Sequence, residues 1–157
     1  MISCTEFIMA YSELFAFLEE RHGKETVIRF WEQLSDEFLG NLRHLVAEKG
    51  LEGMHEYWTR TLTEEGGEHS MVLTDEEFRI EMRACPSVAV LRRNKHLKPY
   101  PDYCEHCTVL YRRVLEPLGY EYIYDLSHVD EARCKLIVRR KGAPRPPILG
   151  EQAKSAD

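Results

Sequence analysis

The sequence contains no apolar run approaching the roughly 20 residues that a membrane-spanning helix needs, and its first residues lack the basic-then-apolar layout of a secretion signal. Those absences lead us to expect a cytoplasmic chain with no membrane partner. An excess of positive charge is also missing. With 21 Lys and Arg against 27 Asp and Glu, the formal net charge is -6, which argues against non-specific nucleic-acid binding. A local basic run of Arg139, Arg140, Lys141 and Arg145 reads as a solvated strand end and tail. Internal repeats are lacking, apart from two hairpin patterns that flank a pair of helices.

What is present suits one globular domain. At 157 residues and 43% hydrophobic, the chain can bury a core but not a second full domain. Phe7, Tyr11, Leu14 and Leu18 recur at helical spacing in a first helix that Ser3 or Thr5 can cap and Gly23 ends. Val27, Trp31, Leu34, Phe38, Leu42 and Leu45 predict a long second helix, with possible breaks near Ser35-Asp36 or Gly40, stopping at Lys49-Gly50. An exposed face on it would serve a homo-oligomer contact. Met54, Tyr57, Trp58 and Leu62 then mark a third, finished by Glu64-Glu65-Gly66-Gly67.

From there the period changes to two. Met71-Val72-Leu73, a turn at Thr74-Asp75-Glu76, and Phe78, Ile80, Met82 and Ala84 alternating with charged residues predict a β-hairpin with one wet face. Pro86 at a first helical position opens a short helix over 88–93. Asp102 as N-cap, with Glu105 three residues on, predicts a second helix closed by Pro117-Leu118-Gly119. Tyr120, Tyr122 and Tyr124, then Cys134, Leu136 and Val138, form the second hairpin around a polar turn from Ser127 to Ala132. The expected fold class is α+β. Within a single domain over 1–141, a helical layer (1–67) precedes a ββααββ unit (68–141) whose antiparallel sheet is covered by helices, and 142–157 form a flexible tail.

Chemistry concentrates in the cysteines. Five of them, an odd number, fit free thiols, metal ligands or redox groups better than a disulfide framework. Cys85 lies where a strand gives way to a helix and Cys104 in the first turn of the next, so helix N-termini are expected to lower both thiol pKa values. Cys85 is the preferred nucleophile. Cys104-x-x-Cys107 comes without a second Cys-x-x-Cys or a His-x-x-x-His, and without the βαβ unit of a thioredoxin motif. Folding that gathered Cys85, Cys104, Cys107 and Cys134 would still make a ligand set for zinc or an iron–sulfur cluster. His128, in the turn before Cys134, reads either as an exposed turn residue or as a general base that approaches the site. His106 sits about 100° from either neighbouring cysteine on a helix and is expected to point outward or to a loop. Tyr103 and Tyr111, beside the cysteines, are candidates for a cavity wall.

Cys85-Pro86 at a strand end, Tyr103-Cys104-x-x-Cys107 opening a helix, Leu118-Gly119-Tyr120 opening a strand, and Arg133-Cys134-Lys135-Leu136-Ile137 together resemble the L-2-amino-thiazoline-4-carboxylic acid hydrolase-like family. The resemblance covers about Phe78 to Arg139. It implies a small α+β protein laid out like the vinyl-reductase-type small-molecule-binding domains, and hydrolysis of a cyclic C–N bond in a thiazoline. Cys85, Cys104 and Cys134 fall on the family's cysteine positions. Where many members have a glycine–aspartate turn before the last cysteine, this chain has Asp130-Glu131-Ala132-Arg133. The implied chemistry is attack on the amidine carbon by a Cys85 thiolate or by metal-bound water, with Arg83 or Arg133 pairing the substrate carboxylate. Three readings therefore stand: a small-molecule hydrolase, a metal-holding sensor or binding module, and a non-enzymatic interaction protein.

Overall fold

The computed structural model describes residues 4–143, so most of the expected tail lies outside the described residues. The fold is α+β, with helices first and a four-stranded antiparallel sheet after them. Helices α1 (Cys4–His22), α2 (Lys24–Phe38), α3 (Gly40–Lys49) and α4 (Leu51–Glu65) lead into strands β1 (Glu68–Leu73) and β2 (Glu77–Ala84). Then come α5 (Pro86–Arg93), α6 (Glu105–Leu115), β3 (Tyr120–Asp125) and β4 (Cys134–Arg140), in the sheet order β1-β2-β4-β3.

The long second helical stretch breaks at the Gly40 position that the sequence offered, giving two helices. Leu39, at φ -92 and ψ 23, leaves the helical path between α2 and α3. The bend lets one stretch serve two cores: Val27 and Trp31 enter an aromatic cluster with Phe15, Leu91, Tyr100 and Tyr103, whereas Leu42 and Val46 join the core against the sheet. Gly50 then turns the chain into α4 at φ 62, where a side chain would be strained and would also press on the Tyr120 hydroxyl.

Helix α6 starts later than its capping pattern implied. Asp102 does not cap it, because its carboxylate is taken by Lys24 of α2, whose ammonium also meets Glu105 at 3.5 Å. Residues 101–104 form turns, and Cys104 occupies the N-cap without a side-chain cap. The helix runs between the helical layer and the sheet. Ser35, fully buried, gives its hydroxyl proton to the Leu110 carbonyl at 2.7 Å and so lets α2 approach closely.

Alternation along the strands builds the sheet's inner face in rows. Phe78 pairs with Val138 and Val138 with Tyr122; the next row is Ile80, Leu136 and Tyr124. The third row, His69, Met82 and Cys134, has nothing from β3, which ends at Asp125. At that end the layer over the sheet is incomplete, and the space is bounded instead by α5 and the N-terminal end of α6.

Candidate functional site

That space is a cavity of about 150 Å³. Five sequence-distant stretches reach it: the C-terminal half of α4, the end of β2 with the β2–α5 junction, the start of α6, β3, and the turn leading into β4. Cys85, Cys104, Cys107 and Cys134 all line it, the middle two from the start of α6. So do Tyr103 and Arg133, whereas Arg83 and His128 do not. Arg83 is exposed on β2 and donates to the His69 carbonyl at 3.1 Å. His128 is exposed on the turn, where its carbonyl accepts the N–H groups of Glu131 and Arg133. Neither is positioned for the substrate or base role that the sequence suggested.

Cys85 is held by the backbone. Its N–H donates to the Ala132 carbonyl at 2.7 Å, which ties the β2–α5 junction to the turn before β4. Ala132 adopts the left-handed conformation, φ 58, with its side chain buried against the cavity. Alanine thus makes the turn for which glycine is the usual residue. Replacing Ala132 by Gly should leave stability within about 1 kcal/mol, because relief of roughly 1–2 kcal/mol of left-handed strain is offset by the buried methyl and by extra unfolded-chain freedom. Ala132→Val should lose more than about 2 kcal/mol, since a β-branched residue fits that conformation worst. Urea denaturation midpoints of the two variants check this; equal midpoints would show that the turn is not strained.

The thiols do not behave as helix termini alone would dictate. Burial raises the Cys85 pKa, although backbone N–H groups of Val88 and Ser87 bond its sulfur and work the other way. Burial pushes Cys104 and Cys107 up to about 12 and Cys134 up to about 11. The expected lowering at Cys85 and Cys104 is therefore reversed. A helix terminus supplies roughly 0.3–1 kcal/mol, less than the several kcal/mol of burying an unpaired charge. At neutral pH the cavity holds neutral thiols.

Among the described residues, no group of three or more His, Cys, Asp or Glu side chains is arranged to hold a metal ion. The four cysteines share a cavity but form no such group among the described residues.

Sequence reasoning missed three residues of the site. His106 does not point outward. It is half-buried, with its ring edge-on to Tyr103 at 4.8 Å and to Tyr11 at 5.8 Å. Its Nδ1 bonds the Tyr103 carbonyl, and its Nε2 lies 3.5 Å from Cys107 Sγ. Burial lowers its pKa. The helical angle of 100° misled because a cavity wraps around the end of α6, so residues on two sides of the first turn both reach it. The second is Tyr124, whose hydroxyl donates to Cys134 Sγ at 3.3 Å and also bonds the Cys107 thiol. Its place on the alternating face of β3 was the available signal. Glu65, the third, reaches the cavity from the exposed last turn of α4, and burial followed by repulsion from Glu64 raises its pKa.

Comparison of the chain with protein-family models, curated proteins and solved structures finds no match.

Proposed function

We propose that this chain is a small-molecule hydrolase that opens a compact cyclic amidine at a C–N bond, with 2-amino-thiazoline-4-carboxylic acid as the type of substrate. The supporting observation is the cavity itself: about 150 Å³, lined by thiols, phenols and an imidazole brought together from separate segments. A space of that size takes a ligand comparable to benzene or somewhat larger and is too small for a dinucleotide or a drug-sized molecule. Arg133, both exposed and lining the cavity, suits the substrate carboxylate, while Glu65 suits the amidinium end. Tyrosine hydroxyls and neutral thiols supply donors toward the developing charge on nitrogen.

Incubation of the purified protein with L-2-amino-thiazoline-4-carboxylic acid tests the reading, followed by mass spectrometry for the ring-opened product carrying one added water. Turnover is expected from the parent protein. A Val88→Trp variant, which fills the cavity from its wall, should lose at least about tenfold in kcat/KM with the fold retained. Absence of turnover on this and related cyclic amidines by folded protein would remove the hydrolase reading.

A further inference from the structure

Four thiols line the cavity, and they differ in what surrounds them. The Tyr124 phenol reaches both Cys134 and Cys107, Cys85 has backbone N–H groups, and Cys104 has the other sulfurs. Only Cys107, among the described cysteines, has a base in contact with it. The carbonyl of Tyr103 can only accept, so the bond to His106 Nδ1 places the ring proton there. Nε2 is then left as a lone pair 3.5 Å from Cys107 Sγ. An oriented base against a thiol is the geometry of an activated nucleophile. Phe15 and Trp31, with ring centroids 5.9 and 6.5 Å from that of His106, fix the imidazole from the helical layer.

We propose that Cys107 is the reacting nucleophile of the cavity, with His106 as its proton acceptor and the Tyr103 carbonyl as the group that sets the tautomer. This rests on the hydrolase reading for its substrate, but its chemistry can be tested without it. On an amidine, the S–C bond forms as the C=N π pair moves to the ring nitrogen, which receives the thiol proton from His106. The ring C–N bond then breaks, the nitrogen leaving with the bonding pair and a proton relayed by His106 from the other amidine nitrogen. Water adds to the carbon, its proton going to the nitrogen still bound there. Cleavage of the S–C bond returns the pair to sulfur, which regains a proton from the new hydroxyl through His106. The assignment shifts the nucleophile from Cys85, and no lowered thiol pKa is needed, because the proton is lost only as the bond to carbon forms.

Iodoacetamide reads the same step with no substrate: an S–C bond forms, the C–I bond breaks, iodide leaves, and the thiol proton passes to His106. Labelling of the native, reduced protein, resolved cysteine by cysteine by peptide mass spectrometry, should modify Cys107 first. His106→Gln should slow labelling at Cys107 about 100-fold while the other cavity thiols stay within a factor of two. First modification of another cavity thiol, or equal slowing at all of them, would overturn the proposal.

The pH dependence in the parent protein provides a measurement that needs no variant. With His106 as acceptor, the Cys107 rate should rise to an inflection below the ordinary histidine value and then stay level from pH 7 to 9. A thiol reacting only through its own ionisation would instead gain about tenfold per pH unit across that range, and that result would also overturn the dyad. The other titratable or charged groups facing His106 and Cys107 are Tyr11, Tyr103, Tyr111, Tyr122, Tyr124, Glu65, Arg133 and the three remaining thiols. Burial raises the phenols and thiols beyond that window; burial raises the Glu65 carboxyl as well, and a Glu65→Gln variant should keep the inflection at Cys107 if His106 is its source. Labelling at Cys107 without amidine turnover would sink the hydrolase reading alone; turnover with another thiol labelled first would sink the dyad alone.

Discussion

Gly53→Ala is expected to destabilise the protein by about 3 kcal/mol or more, even though alanine is the better helix former. In the middle of a helix the exchange ordinarily gains about 0.5–1 kcal/mol. Here a Cβ would stand 2.1 Å from the Leu45 carbonyl oxygen and 2.6 Å from its carbon. Both are backbone atoms, so no rotamer change relieves the clash. Helix α3 would have to move off α4, parting a core that holds Leu42 and Val46 together with Met54 and Trp58. Gly40→Ala is the matched control: nothing lies within 4 Å of its Cβ, and its effect should stay within about 0.5 kcal/mol. Urea denaturation of both variants decides the matter. Equal midpoints would mean that α3 and α4 do not meet at Gly53.

Phe15→Ala should cost about 3–5 kcal/mol, roughly 10 °C or more in Tm for a chain of this size. Phe15 is fully buried at the centre of the aromatic cluster, with ring centroids 4.2 Å from Tyr11, 5.1 Å from Trp31 and 5.7 Å from Tyr100. The same ring packs on His106 at 5.9 Å, so the loss should reach the cavity. Phe15→Leu, which retains most of the volume, should cost about 1–2 kcal/mol and keep the native order of thiol labelling. If Phe15→Ala unfolds within 1 kcal/mol of the parent, α1 is not docked through this residue.

Periodicity carried most of the fold. The alternation at Phe78, Ile80 and Met82 and at Tyr120, Tyr122 and Tyr124 corresponds to the inner rows of the sheet, and Pro86 does open α5. The helix boundaries were less legible, for a physical reason. Val27 to Leu45 read as one stripe because the apolar spacing continues through Leu39, yet two different cores receive its two halves. Asp102 matched a capping pattern by sequence alone, but Lys24, 78 residues away, competes for the carboxylate and wins.

By itself the sequence determined the α+β class, the strand faces and the set of cysteines, because each depends on local spacing and on burial of one apolar face. Tertiary structure alone decided what those cysteines are. Enclosure by five separated segments set their protonation, since the charge-burial penalty depends on surroundings that no local motif specifies. It also turned His106 inward against Cys107. The direction of one side chain, fixed by the Tyr103 carbonyl and by aromatic rings of the N-terminal helices, separates an outward-facing histidine from a base in contact with a thiol.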